Sequence, residues 1–212
     1  MEKIPGNIPS QPKPLPASSV YWIKRYESER NSGDGSFNRL AEFKAEILNK
    51  FVQKNDITTV IEYGCGDGNQ LRHAKYPSYT GFDISTKAVF MCRAIFQNDS
   101  TKVFKRMGEY NGETAELTLS LDVIYHLVEF EVFSDYMNRL FESAKRYVVI
   151  YSSDMDENAE GQAAHVWHRK FTKWVELEKP EWQLISHIPN KYPYMGDTKT
   201  GSSSDFFIYK RA

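Results

Sequence analysis

The chain has 212 residues, with 27 basic and 28 acidic side chains, so its formal net charge is −1. This length suggests one domain, and a hydrophobic fraction of 41% excludes a disordered chain. The balanced charge argues against a protein that binds nucleic acid over a wide basic surface, and no apolar run approaches the roughly 20 residues of a membrane-spanning helix.

The N-terminal part of the chain is predicted to be an appendage to one domain over residues 20–212. Five of the nine prolines lie within residues 1–19, which predicts an extended, flexible arm. Residues 20–35 follow as a cap segment that includes Tyr21, Trp22, Arg25 and Tyr26, and we expect its aromatic rings to close over a cofactor or an acceptor. Apolar residues at helical spacing then predict a helix from residue 37 to 52, with Ser36 as its N-cap.

From residue 57 onward, strands alternate with helices. This alternation favours right-handed crossovers and therefore a doubly wound α/β fold with a mostly parallel sheet. Two strands near the C-terminus have only loop between them and are expected to form an antiparallel hairpin at the sheet edge. The predicted strands are 57–63, 79–83, 102–105, 117–122, 146–151, 182–188 and 205–210, and the predicted helices are 86–96 and 130–143.

A glycine-rich turn follows the first of these strands and is expected to open a helix. Gly64, Gly66 and Gly68 would let the backbone approach a ligand closely, but their spacing is not that of a dinucleotide fingerprint or a P-loop. Glu62 precedes the turn, and Asp83 ends the next strand. Parallel strands would bring the Asp83 carboxylate beside the turn, where it could accept hydrogen bonds from a ribose diol.

Three segments together resemble motifs of class I S-adenosylmethionine-dependent methyltransferases. Glu62–Gly68 resembles the first motif, Gly81–Ser85 the second and Ser120–Leu127 the fourth. The resemblance covers residues 36–151 in order and spacing, and the C-terminal hairpin matches the seven-stranded sheet of that family. It implies methyl transfer with S-adenosylmethionine as the cofactor.

The resemblance also implies roles for individual residues around that cofactor. The first two glycines would line its methionine part, with the carboxylate of the first motif nearby. Asp83 would bind the ribose hydroxyls, Ile84 would pack against the adenine, and Glu109 is the candidate for the adenine amino group. The Ser120 backbone would face the amino group of the methionine part, and Cys65 is expected to fill space rather than to act as a nucleophile. The predicted cofactor-binding residues are Glu62, Gly64, Cys65, Gly66, Asp83, Ile84, Glu109, Ser120 and Leu121.

Methyl transfer from a sulfonium requires alignment with the acceptor and exclusion of water, and a hydroxyl or amine acceptor must also lose a proton. Residues 152–170 are expected to form a lid over the acceptor. The candidate bases are the histidines near the expected active site, together with one tyrosine. They are His126, His168, His165 and Tyr125.

The basic part of this lid has more than one interpretation. His165, His168 and Arg169 could bind an anionic acceptor such as a phosphorylated one, or they could be the solvated start of a helix. Asp154 and Asp156 could join the two histidines around a metal ion, but the spacing is not diagnostic. We predict no metal site.

The acceptor is predicted to be a small polar molecule, with O-methylation of a sugar or surface-polysaccharide precursor favoured. This follows from the short, neutral chain and from a looser resemblance of residues 33–45 and 119–128 to small bacterial methyltransferases of such pathways. The alternatives are a protein or amine acceptor, and a non-catalytic partner subunit that binds S-adenosylmethionine. Two cysteines and an N-terminus without an apolar signal core predict a cytoplasmic protein, as a monomer or homodimer that binds neither nucleic acid nor membrane.

Overall fold

The computed structural model describes residues 17–212. Short 3₁₀ helices cover Asp34–Ser36, Gln70–His73, Met107–Glu109 and Ile124–His126. The α-helices are α1 (Ala17–Glu27), α2 (Asn38–Lys54), α3 (Thr86–Ile95), α4 (Phe130–Glu142) and α5 (Phe171–Glu178). The strands are β1 (Thr59–Tyr63), β2 (Ser78–Asp83), β3 (Lys102–Arg106), β4 (Ala115–Leu121), β5 (Ala144–Ser152), β6 (Trp182–Ile188) and β7 (Asp205–Arg211).

These strands form one seven-stranded sheet in the order β3-β2-β1-β4-β5-β7-β6. Strands β1 to β5 pair in parallel, whereas β7 is antiparallel to both of its neighbours, β5 and β6. Strand β6 therefore runs in the same direction as β1 to β5. The predicted doubly wound sheet with a C-terminal antiparallel hairpin is confirmed, and β7 lies inside the sheet while β6 forms its edge.

Apolar side chains cover both faces of the sheet. On one face the buried side chains of α2 and α3, such as Leu48 and Val89, pack in the same cluster as Val149 of β5. On the other face α4 and α5 pack in a cluster that includes Val148 and Ile150. Because neighbouring strand residues point to opposite faces, a strand covered on both sides must be apolar throughout, which explains the clear apolar run in β5.

The glycine-rich turn does not open an α-helix as predicted, because only the 3₁₀ helix Gln70–His73 follows it. The Asp67 carboxylate accepts a hydrogen bond from the Asn69 N–H at 3.0 Å, and the Asn69 side chain donates to the Ser36 carbonyl at 2.6 Å. Such bonds between side chains and backbone compete with helical hydrogen bonding. They hold this segment as a compact loop.

The prediction of Ser36 as an N-cap is also wrong. Ser36 ends the 3₁₀ helix that precedes α2, and Phe37 occupies the N-cap position without a side-chain hydrogen bond. In contrast, Ser85 caps α3, since its hydroxyl accepts from the Ala88 N–H at 3.3 Å. Ser85 lies two residues after the end of β2 and has an extended backbone conformation, as is usual for an N-cap residue.

Part of the predicted proline-rich arm, residues 1–16, lies outside the described residues. Ala17, Ser18 and Ser19 form the first turn of α1. None of the helices within residues 17–212 has the length and apolar character needed to cross a membrane.

Candidate cofactor and acceptor site

The candidate site is a cavity at the carboxyl ends of the central strands. Strand β1 lies between β2 and β4, so the order of connection reverses here, which is where ligands bind in open α/β sheets. The cavity has a volume of about 280 Å³, near the lower end of the range for small-molecule sites. Residues that follow β1, β2, β3 and β4 line it, together with side chains of α1, α2 and α4.

The glycine-rich loop forms the wall of the cavity above β1. Gly64 and Gly66 have φ angles of +80° and +60°, which glycine adopts at little cost. A Cβ atom on Gly64 would lie 2.5 Å from Cγ2 of Val123, and one on Gly66 would collide with the Ser32 hydroxyl. The Gly64 N–H donates to the Phe82 carbonyl at 2.7 Å. The loop is therefore fixed to β2 and keeps its backbone open to the cavity.

Two buried carboxyl groups, Glu62 and Asp83, line this cavity. Glu62 Oε2 accepts a hydrogen bond from the Tyr79 hydroxyl at 2.7 Å. The two Asp83 oxygens accept from the N–H groups of Gly66, at 2.9 Å, and Ser85, at 2.8 Å. The fold thus brings the carboxylates of β1 and β2 together beside the glycine-rich loop.

Burial disfavours the ionised form of both carboxyl groups. It raises the pKa of Glu62 to about 7, against a lowering effect of the Tyr79 hydrogen bond. It raises the pKa of Asp83 to about 6, against the lowering effect of the backbone N–H groups of Ser85 and Gly66. A ligand that donates hydrogen bonds or carries a positive charge would favour ionisation of both groups.

Three further predicted cofactor residues, Cys65, Ile84 and Leu121, also line the cavity. The pKa of the Cys65 thiol is well above its ordinary value, because it is hydrogen-bonded to Cys92 and is buried. This thiol is therefore a poor nucleophile. Met107, which follows β3, adds an apolar side chain to the same cavity.

The remaining two predicted cofactor residues do not line the cavity. Ser120 is completely buried in β4, and its hydroxyl accepts from the Tyr136 hydroxyl at 2.8 Å. Glu109 turns back on its own segment and accepts from the Arg106 N–H at 2.7 Å. The structure therefore provides no cavity contact for either side chain.

Among the candidate bases, His126 lines the cavity and Tyr125 does not. The His126 ring lies 4.8 Å from the Trp22 ring, and burial lowers its pKa to about 4. The Tyr125 hydroxyl instead donates to Asp122 Oδ1 at 3.0 Å. Burial and the Asp122 charge hold the Tyr125 pKa well above its ordinary value, so this tyrosine is a poor base.

His165 and His168 lie in the loop before α5 and do not line the cavity. The His165 ring stacks on the Tyr21 ring of α1 at 4.0 Å. The His168 ring places Nδ1 2.6 Å from the Ser153 hydroxyl. The pKa of each histidine is lowered by burial. This loop therefore contacts α1 through His165, and neither of its histidines belongs to the cavity lining.

The charged residues of the same loop also have partners elsewhere. Arg169 donates to the Leu127 carbonyl at 2.7 Å and to the Val128 carbonyl. The Asp154 carboxylate accepts from the N–H and the hydroxyl of Thr172, at 3.0 and 2.8 Å. Within residues 17–212, no three or more His, Cys, Asp or Glu side chains are grouped so that they could hold a metal ion.

The sequence analysis assigns no ligand role to Lys44 and Asp122, which line the cavity and form an ion pair at 2.7 Å. The available signal was the position of Lys44 within the apolar face of the predicted helix 37–52. The predicted cap segment includes both Trp22 and Tyr26, and both line the cavity. The Tyr26 hydroxyl contacts the Ser32 hydroxyl at 3.0 Å, beside the glycine-rich loop.

The cavity residues fit S-adenosylmethionine. Two buried carboxyl groups, Glu62 and Asp83, suit a ribose diol and an ammonium group. Ile84, Met107 and Leu121 supply apolar surface for a ring. The fold and this site together define a class I S-adenosylmethionine-dependent methyltransferase.

The chain belongs to a methyltransferase family, since a family model described as "Methyltransferase domain" matches residues 35–192. Among solved structures, it is similar to magnesium protoporphyrin IX methyltransferase from Synechocystis PCC 6803 with bound S-adenosylmethionine. Identity is 15%, coverage is 95% of this chain and 100% of that one, and the TM-score is 0.69. Among curated proteins, none matches the chain.

A second similar structure is the N-methyltransferase NodS from Bradyrhizobium japonicum WM9 with S-adenosylhomocysteine. It is 11% identical, covers 92% of this chain and 98% of its own, and has a TM-score of 0.67. Similarity at these identities supports the fold, and the two proteins act on different acceptors. The methyltransferase family is thereby established, as the first, second and fourth motifs predicted, and the two similar structures hold S-adenosylmethionine and S-adenosylhomocysteine.

Proposed function

We propose that the protein transfers the methyl group of S-adenosylmethionine to a hydroxyl oxygen of a small, neutral, polar acceptor, such as a sugar or a surface-polysaccharide precursor. The observation that carries this proposal is the pair formed by His126 and Trp22 at the β4 end of the cavity. A neutral imidazole can accept the proton of a hydroxyl, and an indole face suits the apolar face of a sugar ring.

The hydrogen bond of His126 fixes which ring nitrogen is basic. Its Nδ1 lies 2.9 Å from the His165 carbonyl oxygen, and a carbonyl can only accept a hydrogen bond. Nδ1 therefore carries the proton of the neutral ring, and Nε2 keeps the lone pair. Because the pKa is about 4, this form is present at neutral pH without prior loss of a proton.

The cavity favours catalysis by alignment of the acceptor with the methyl group and by exclusion of water, and it does not require a strong base. When bound, S-adenosylmethionine supplies the electrophilic methyl carbon, and the acceptor oxygen displaces the thioether. Trp22 and Tyr26 of α1 line the cavity, which would exclude water from the sulfonium. A hydroxyl becomes strongly acidic as its oxygen gains the methyl group, so a weak base at His126 suffices to take the proton.

Arg169 and Arg25 support a neutral acceptor rather than a phosphorylated one, because their guanidinium groups already have hydrogen-bond partners. Arg169 is bonded to two backbone carbonyls, and Arg25 donates to the Asn31 carbonyl and the Tyr21 hydroxyl. A phosphate bound at Arg169 or Arg25 would have to displace one of these partners.

We also place the protein in the cytoplasm, as a monomer or a homodimer. Both Cys65 and Cys92 are free, buried thiols, which suits a reducing compartment. Size-exclusion chromatography with light scattering measures the oligomeric state directly.

The proposal is tested with labelled S-adenosylmethionine and a panel of neutral sugars, nucleotide sugars, sugar phosphates, amines and peptides. We expect transfer to a neutral hydroxyl acceptor. His126→Asn should lower kcat by about 10²- to 10⁴-fold while leaving S-adenosylhomocysteine affinity within about twofold. The control is His187→Asn, because that side chain is about half exposed and lies on β6.

Three outcomes would contradict the proposal. Methylation of amines or peptides would favour the other acceptor classes. Tight S-adenosylhomocysteine binding without transfer to any acceptor would favour a non-catalytic partner subunit. Full turnover by His126→Asn would exclude His126 as the base.

A further inference from the structure

Lys44 is a buried lysine that neither the sequence motifs nor the proposed proton transfer uses. It lies on α2 with a side chain only 1% exposed, among apolar neighbours such as Leu40 and Leu48. It also lines the cavity. A buried ammonium group is costly unless its hydrogen bonds are satisfied, so its partners indicate what the site is built to hold.

The ammonium group has one fixed partner. Lys44 Nζ donates to Asp122 Oδ2 at 2.7 Å and lies 5.2 Å from the centre of the Tyr151 ring. An ammonium group has three N–H donors, and within residues 17–212 Asp122 is its hydrogen-bond acceptor. The remaining donors are available to a group inside the cavity.

Asp122 is itself held in place. Its Oδ1 accepts from the hydroxyls of Tyr125, at 3.0 Å, and Ser204, at 3.1 Å. Its backbone has a φ of +58°, which is costly for a residue other than glycine. This carboxylate therefore positions the lysine and has little capacity left for a ligand of its own.

The position of Lys44 relative to Glu62 indicates which ligand group it meets. Lys44 and Glu62 both line the cavity, and the lysine charge partly opposes the rise that burial causes in the pKa of Glu62. Together they present a carboxylate and an ammonium group to one cavity. That combination is complementary to an amino-acid zwitterion, in which the carboxylate and the ammonium group are attached to one carbon.

We propose that Lys44 binds the carboxylate of the cofactor's amino-acid group, with Asp122 as the residue that positions it. The inference rests on S-adenosylmethionine as the cofactor and is independent of the acceptor proposed above. It adds to the motif residues a cofactor contact from α2, an element that the motifs do not include.

Calorimetric titration with two ligands tests the assignment. S-adenosylhomocysteine carries the carboxylate, and its decarboxylated analogue, S-adenosyl-3-thiopropylamine, lacks it. We expect the wild-type protein to bind S-adenosylhomocysteine about 10- to 100-fold more tightly, as for loss of a charge-assisted hydrogen bond. Lys44→Met should lose most of that preference, with little change in affinity for the analogue.

Controls separate a direct contact from damage to the fold. Lys44→Met leaves Asp122 without its ion pair, so the double variant Lys44→Met/Asp122→Asn is measured beside it. Lys179→Met is the matched control, because Lys179 is 9% exposed, pairs with Glu142 at 3.4 Å and lies away from the cavity. We expect it to bind both ligands as the wild-type protein does.

Several results would overturn the inference. Equal affinity of the wild-type protein for both ligands would exclude a carboxylate contact, even if the variants failed to fold. An equal loss of affinity for both ligands in Lys44→Met would show a structural role. Unchanged binding with reduced methyl transfer would move Lys44 to the acceptor. No S-adenosylhomocysteine binding by the wild-type protein would overturn the cofactor assignment, and this inference with it.

Discussion

Glu62 and Asp83 are placed for ligand binding rather than for stability. Each is buried, and burial raises the pKa of Glu62 to about 7 and that of Asp83 to about 6. A carboxyl group whose pKa is higher in the folded than in the unfolded chain stabilises the fold when protonated. That contribution is complete below the unfolded pKa and is lost as pH rises through the folded pKa.

Glu62→Gln should therefore stabilise the ligand-free protein at high pH. The amide can still accept from the Tyr79 hydroxyl, and it carries no charge. Taking 4.5 as the unfolded pKa, the gain in unfolding free energy at pH 8 is of the order of 3 kcal/mol, and it should vanish near pH 4.5. Thermal unfolding at both pH values measures it, and a lower melting temperature at pH 8 would contradict the assignment.

The sequence predicted the motif residues better than the polar partners around them. Glu62 and Asp83 could be placed because parallel strand ends converge at one edge. The ion pair between Lys44 and Asp122 joins α2 to the end of β4, 78 residues apart, and no local pattern encodes such a contact. Glu109 was predicted to reach the cofactor, but its carboxylate bonds to the backbone of Arg106 instead.

Helix α1 is attached to the rest of the domain near both of its ends. The backbone N–H and hydroxyl of Ser18 donate to the Glu129 carboxylate, at 3.3 and 2.6 Å. Beyond the other end of the helix, Ser32 and Asp67 exchange two hydrogen bonds, at 2.9 and 3.0 Å. Trp22 lies between these attachments and lines the cavity. These contacts support the prediction that residues 20–35 form a cap over the bound cofactor or acceptor.

Trp22→Leu should speed the dissociation of S-adenosylhomocysteine by about tenfold, because the cap would lose its contact with His126 and part of its buried area. Stopped-flow displacement measures the rate. Trp167→Leu is the matched control, since Trp167 is 47% exposed and does not line the cavity. Equal rates in the two variants would show that α1 does not retain the ligand.

The strands were easier to predict than the connections between them. Apolar, β-branched runs such as Val148–Ile150 are required wherever both faces of a strand are covered. The helix expected after the glycine-rich loop and the N-cap expected at Ser36 are the parts that were wrong. Side-chain hydrogen bonds of Asp67 and Asn69 to the backbone hold these segments instead. The lid predicted over residues 152–170 contacts α1, through His165 and Tyr21, and its closure stays a prediction.

The candidate cofactor site is lined by residues that follow four neighbouring strands, β1 to β4. Ligand binding should therefore stabilise the domain as a unit. S-adenosylhomocysteine at 100 times its Kd should add about 2.7 kcal/mol, which raises the melting temperature of a domain of this size by roughly 5–10 °C. Asp83→Ala at the same ligand concentration should show little shift. An equal shift in that variant would remove Asp83 from the binding site.

Strand β7 lies inside the sheet, although it is the last strand to be synthesised on the ribosome. Strand β6 is joined to β5 only through β7, although β7 is made last of the three. Until Asp205–Arg211 has emerged, the β5 edge from Tyr147 to Ser152 has no partner on that side. An unpaired apolar edge is a template for pairing with another chain. Nascent chains and products terminated before residue 205 should therefore depend most on chaperones.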